Sequence, residues 1–167
     1  MLTYSKFAAR RFYFETARPI LRAMNSRLNH PALRVFLVDD AYPVRRRMAA
    51  LFGALEGVEI VGEAEEPGAA LAGIEACAAD LVVTELGLNG GTGLELLASL
   101  AQRMPHVIAM VLTNRSGAGF RHACLTGGAH YFFDKTREFE LARATVQRIA
   151  GQHRARAAVP QSGAHHV

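Results

Sequence analysis

The chain has 167 residues, half of them apolar and a fifth charged; this suits one globular domain with an ordinary core and excludes a disordered or fibrous protein. No apolar run is long enough to span a bilayer, and Cys77 and Cys124 are too far apart for a metal or redox motif, so free thiols in a reducing cytosol are expected. The net charge of +4 is unevenly held: residues 1–33 carry six basic side chains against Glu15 alone, the remainder 13 basic against 14 acidic, so the body is not a basic nucleic-acid binder.

Residues 1–32 read as a basic extension. Arginines alternate there with Phe7, Phe12, Tyr13 and Phe14, and Pro19 interrupts any long helix. The segment is either partly helical or a leader produced by start-site assignment, with Met24 as the alternative first residue. An arm for nucleic acid or anionic lipid is the competing reading.

From about Leu33 two patterns alternate. Short β-branched or aromatic runs occur at "RVFLV" (34–38), "VEIVG" (58–62), "DLVVT" (80–84), "VIAMVL" (107–112) and "HYFF" (130–133). Helical spacing fills the intervals. In "PVRRRMAALFGAL" (43–55), Val44, Met48, Leu51 and Leu55 form the apolar stripe, with Arg45 and Arg46 on the opposite face. "PGAALAGIEACA" (67–78), "TGLELLASLAQR" (92–103), "GAGFRHACLTGG" (117–128) and "EFELARATVQRIAG" (138–151) follow. Pro43 opens a helix, and Thr92 with Glu95 has capping-box spacing. Five apolar strands alternating with five helices predict an α/β domain over 33–151: a doubly wound parallel sheet with both faces covered. Residues 152–167, "QHRARAAVPQSGAHHV", read as a flexible tail, and no further domain is expected.

In such a sheet ligands bind outside the carboxyl ends of the strands. The first strand delivers Asp39 and Asp40 there, the third Glu85, the fourth Thr113 and the fifth Lys135. Clustered carboxylates repel unless a cation sits among them, and magnesium takes such oxygen ligands together with phosphate oxygens. A lysine and a hydroxyl opposite would hold a phosphoryl group. The glycine-rich "GLNGGTG" after Glu85 matches neither a P-loop nor a dinucleotide fingerprint, and it reads as the tight turn that presents the acid.

Over residues 34–150 this ordered set resembles the receiver domains of two-component response regulators, which have a flavodoxin-like fold. "VFLVDD", "DLVVTELGLNGGTGLELL", "VIAMVLT" and "GGAHYFFDKT" carry the likeness. The resemblance implies that Asp40 is the direct magnesium ligand, Asp39 its water-mediated partner and Glu85 the third acid of the metal site. It implies that Thr113 is the switch hydroxyl, Phe132 the switch aromatic and Lys135 the phosphate-facing cation. It also implies a histidine kinase or a downstream effector as protein partner. The contact would be made through the fourth helix, fifth strand and fifth helix, where Arg137, Glu138, Arg143 and Arg148 are candidates. A homodimer is left open, nucleic acid and membrane are not expected as partners, and the domain is a cytoplasmic binding module rather than an enzyme.

The acceptor position departs from the family pattern. The family has aspartate where this chain has Glu85, proline where it has Asn89, and a small residue where it has Asn114. The longer side chain moves a carboxylate by about 1.5 Å, and a misplacement of about 1 Å can cost about a hundredfold in rate. Three readings follow: Glu85 imitates a phosphorylated aspartate, the site is degenerate, or phosphate is still accepted on Glu85, Asp39 or Asp40. The first two make the domain phosphorylation-independent with weak or lost magnesium binding. The third keeps a magnesium-dependent receiver served by a kinase or small phosphodonor.

Overall fold

The computed structural model describes residues 31–158. Expectations for residues 1–30 and 159–167 therefore lie outside the described residues. The elements run β1 (Leu33–Val38), α1 (Tyr42–Gly53), β2 (Val58–Ala64), α2 (Pro67–Ala76), β3 (Leu81–Thr84), α3 (Gly93–Arg103), β4 (Ile108–Thr113), α4 (Ala118–Thr126), β5 (Tyr131–Asp134) and α5 (Phe139–Ala158). An antiparallel pairing of Gly87–Leu88 with Gly91–Thr92 lies between β3 and α3. The five long strands form one parallel sheet in the order β2-β1-β3-β4-β5. The chain moves outward from β1 to β2 and then returns to β3 on the other side of β1. The carboxyl ends of β1 and β3 therefore flank the point where strand order reverses, which is where a crevice opens.

Strand alternation divides the core into two layers. Leu33, Val35 and Leu37 of β1 face the layer that holds Met48 and Phe52 of α1 and Val146 and Ile149 of α5. Phe36 and Val38 face the opposite layer, with Ile74 of α2, Leu97 of α3, Cys124 of α4 and Phe132 of β5. Pro67 opens α2, and the predicted capping box closes the start of α3, Thr92 accepting from the Glu95 amide and Glu95 from the Thr92 amide.

Two details differ from the sequence expectation. The first is the buried stripe of α1. Its deepest side chains are Arg45, Met48 and Phe52, while Val44, Leu51 and Leu55 are half-buried. Arg45, assigned to the polar face, is only 6% exposed. Its guanidinium donates to Glu63 at 3.0 Å, to Glu65 at 2.8 Å and to the Asp39 carbonyl. A helix pattern cannot show this, because the neutralising acids come from the end of β2. A buried guanidinium is tolerable only with such partners.

The second is the length of α5, which continues to Ala158 instead of ending near Gly151. Arg154 pairs with Glu56 at 2.5 Å, and Gln147, one heptad earlier, donates to the Glu56 carbonyl at 3.2 Å. His153 lies 3.9 Å from Asp80. The polar composition of "QHRARAA" is thus the outer part of a helix whose inner edge grips the α1–β2 loop. Among the described residues no helix is long and apolar enough to cross a membrane.

Candidate functional site

Four parallel strands bring the chemistry together because their ends are in register. Val38 pairs with Thr84, Thr84 with Val111, and Thr113 with Asp134. Asp39, Glu85 and Lys135 are each the first residue past a strand, and Thr113 is the last residue of β4. They converge on one pocket at the carboxyl edge.

Glu85 turns into this pocket, its side chain only 13% exposed. One carboxylate oxygen, Oε1, accepts from the Thr113 hydroxyl, from the Leu86 amide at 2.6 Å and more loosely from the Gly87 amide at 3.4 Å. The other, Oε2, meets the Lys135 ammonium at 2.6 Å. Lys135 also reaches Asp39 Oδ2 at 2.7 Å, and Asp39 Oδ1 accepts from the Ala41 amide at 2.8 Å. Thr113 and Asp39 are fully buried. The Thr113 oxygen also accepts from the Arg115 amide at 3.1 Å, so this hydroxyl is held from two sides.

Burial alone would push the Glu85 carboxyl upward. The hydrogen bonds from Lys135 and Thr113, and the lysine's charge, outweigh it and hold the group below the usual carboxylate range. Burial likewise pushes the Lys135 ammonium down, but its bonds to Asp39 and Glu85 and their charges raise it above the usual lysine range. Glu85 and Lys135 are therefore both ionised over the physiological range, with the ammonium seated between the Glu85 and Asp39 carboxyl groups.

The loop beyond Glu85 holds this geometry. Gly90 adopts a left-handed conformation at φ 71°, and Gly93 opens α3 so close to the Glu85 carbonyl that a Cβ would collide with it. The Thr84 hydroxyl donates to that carbonyl at 2.9 Å. The glycines serve the turn that aims the acid, as the sequence suggested. Asn89 is exposed within the loop, and exposed Asn114 accepts a hydrogen bond from the Thr136 hydroxyl at 2.9 Å, joining the loops after β4 and β5.

The expected magnesium trio is not assembled as a ligand set. Asp40 is half-buried beside the pocket, whereas Asp39 and Glu85 each give an oxygen to Lys135. Among the described residues no group of three or more His, Cys, Asp or Glu side chains is arranged to hold a metal. As placed, the lysine ammonium supplies the positive charge between Asp39 and Glu85, and the other oxygen of each accepts from the Thr113 hydroxyl or backbone amides, so these two acids do not join Asp40 as a ready ligand set for a divalent ion.

Phe132 is buried, and the Arg121 guanidinium of α4 lies 4.7 Å from its ring centroid. Arg121 also donates to the Phe132 carbonyl and to Glu138, each at 3.0 Å. No sequence pattern announced Arg121 or the pocket-side role of Arg45, since the partners of both come from other elements. Of the surface candidates, Glu138 is half-buried and accepts from the Asp134 amide at 2.7 Å, and Arg148 lies over Tyr131. Arg143 pairs with Glu140 at 2.9 Å, and Arg137 is exposed.

Comparison with known proteins agrees with the fold. The family model of the response regulator receiver domain matches residues 35–147. DevR/DosR of Mycobacterium tuberculosis, a DNA-binding transcriptional activator, is 36% identical over 121 residues, which are 72% of this chain and 56% of that protein. The chain thus spans little more than half the length of such curated relatives. The isolated receiver domain of RcsB from Salmonella enterica serovar Typhimurium, solved with the phosphomimetic BeF3-, superposes with a TM-score of 0.64 at 23% identity, covering 70% of this chain and 89% of that one. The non-phosphorylated RcsB receiver of Escherichia coli gives 0.62 at 22% identity, covering 70% and 94%. The similar scores show a shared fold and do not separate the two states. Receiver domains generally bind Mg2+ at the acidic pocket and interact with kinases and effector partners. The chain belongs to the response regulator receiver family of two-component signal transduction.

Proposed function

We propose that this receiver is a phosphorylation-independent protein-binding module in which Glu85 stands in for a phosphorylated acceptor. One observation carries the reading: the Glu85 carboxylate is divided between the Thr113 hydroxyl and backbone amides on one oxygen and Lys135 on the other. A phosphoryl group at an acceptor here would meet the same hydroxyl and the same ammonium, so the longer side chain supplies intramolecularly the anion that phosphorylation would add. An acid pointing to solvent would have favoured a degenerate site; Glu85 points inward. Magnesium binding is weak or lost because Lys135 occupies the charge position between the acids. The domain performs no chemistry of its own. Its output is a contact with a cytoplasmic kinase or effector over α4, β5 and α5, where Phe120, Leu125 and Leu141 are 45%, 47% and 58% exposed.

The test is intact-mass spectrometry after incubation with acetyl phosphate and Mg2+. No phosphoryl adduct is expected on the parent chain; a stable adduct overturns the reading. Glu85→Gln keeps the shape and removes the charge, and it is expected to shift the amide resonances of Thr113 and Phe132. Spectra that change only beside residue 85 argue against mimicry.

A further inference from the structure

Helix α4 is weakly anchored by its own side chains. Of Ala118–Thr126 only Cys124 is buried, and Phe120 and Leu125 face solvent. A helix holding one small apolar group in the core has little packing energy to fix its position. Arg121 supplies a different attachment. Its guanidinium covers the Phe132 ring at 4.7 Å, one nitrogen donates to the Phe132 carbonyl at 3.0 Å, and another donates to Glu138 at 3.0 Å. Glu138 in turn accepts from the backbone amide of Asp134 at 2.7 Å. That bond, together with the hydrogen bond and charge of Arg121, outweighs partial burial and the nearby Asp134 charge and holds its carboxyl below the ordinary range, so Glu138 meets Arg121 as a carboxylate at neutral pH. Asp134 immediately precedes Lys135, which holds Glu85. A path thus runs from the acid pocket through the Lys135 side chain, along the backbone to the Asp134 amide, and from there by hydrogen bonds through Glu138 and Arg121 to α4.

We propose that Arg121 is a positioning residue that couples the acid pocket to α4, covering Phe132 in its buried position and pinning the helix to β5. The proposal rests on the reading of Glu85 above and extends it: Glu85 sets the pocket, and Arg121 transmits that setting to the surface. A planar fork is needed, because one group must lie flat on a ring while donating to a carbonyl and a carboxylate. Lysine at this position keeps the charge and loses that geometry.

The experiment is a double-mutant cycle on the full chain, since spatial intermediacy alone does not demonstrate coupling. Arg121→Ala, Glu85→Gln and the double variant are compared by hydrogen exchange of the α4 amides, with β1 amides as the control for folding. A 4-fluorophenylalanine at position 132 reports the ring's environment. Arg121→Ala is expected to speed α4 exchange about tenfold or more, equivalent to about 1.4 kcal/mol of local opening, while β1 is unchanged. It should also move the fluorine resonance, with Arg121→Lys falling between. Glu85→Gln should speed α4 exchange in the Arg121 background and add little once Arg121 is gone. Unchanged α4 exchange in Arg121→Ala overturns the proposal whatever Glu85→Gln does, and so does an equal effect of Glu85→Gln in both backgrounds. Loss of the Glu85 reading looks different: Glu85→Gln then leaves α4 and the fluorine signal as in the parent, while Arg121→Ala still shifts both; the coupling proposal falls with it, and only an anchoring contact remains.

Discussion

At the residue scale, one methylene decides the site. The extra methylene lets the glutamate reach both Thr113 and Lys135 with its own oxygens, and on the proposed reading those oxygens take the place a phosphoryl group would have on a shorter aspartate. The pair has a clear pH signature. The Glu85 carboxyl is held below its unfolded value near 4.3, so its stabilisation is present above that pH and is lost as pH falls through the lower folded value. Lys135 is raised above its unfolded value near 10.4, so its stabilisation is complete below that pH and is lost only as pH rises through the higher folded value. The stability difference between the parent and Glu85→Gln, from urea unfolding, should therefore be flat from about pH 6 to 9 and shrink as the solution is acidified past about 4. A difference that shrinks on raising pH from 6 to 8 would contradict this assignment. Asp39, Glu85, Thr113 and Lys135 were legible because each stands at the end of a recognisable strand. Arg45 and Arg121 were not, because an arginine on a helix looks solvated until its partners arrive from elsewhere in the fold.

At the element scale, the turn after β3 matters more than its short length suggests. Gly93 begins α3 directly against the Glu85 carbonyl, and a side chain there must push either the helix or the acid. Gly93→Ala is expected to cost about 1–3 kcal/mol by overpacking, and to displace Glu85 as well. Thermal unfolding measures the first effect and the Thr113 resonance the second. By contrast Gly119 has open space around its missing Cβ, so Gly119→Ala, in an exposed helix, should be neutral or stabilising. Strand positions were readable from apolar runs, and the start of α3 from its capping box. The end of α5 was not, because Arg154 and Gln147 are polar side chains whose inward role depends on Glu56 lying beneath them.

At the scale of the whole molecule, the pocket is where the two halves of the sheet meet, and its internal ion pairs make global stability a readout of whether a metal binds there. A ligand that binds only the folded state raises its stability by about RT ln(1 + [L]/Kd). With Lys135 seated between Asp39 and Glu85, about 10 mM Mg2+ should leave the unfolding midpoint of the parent within about 1 °C. Lys135→Ala leaves the two acids facing each other unpaired; it should start lower and regain stability as Mg2+ is added. An equal Mg2+ response in both proteins would show that the lysine does not compete with the metal. The sequence by itself determined the five-strand, five-helix alternation, the parallel sheet and the set of residues at its carboxyl edge, because hydrophobic period and strand ends are local properties of the chain. Only the tertiary structure decided that Glu85 turns inward onto Thr113 and Lys135, that Arg45 is buried and that Arg121 lies over Phe132. Those contacts join residues far apart in the chain, and a charge's partner is fixed by the packing that surrounds it.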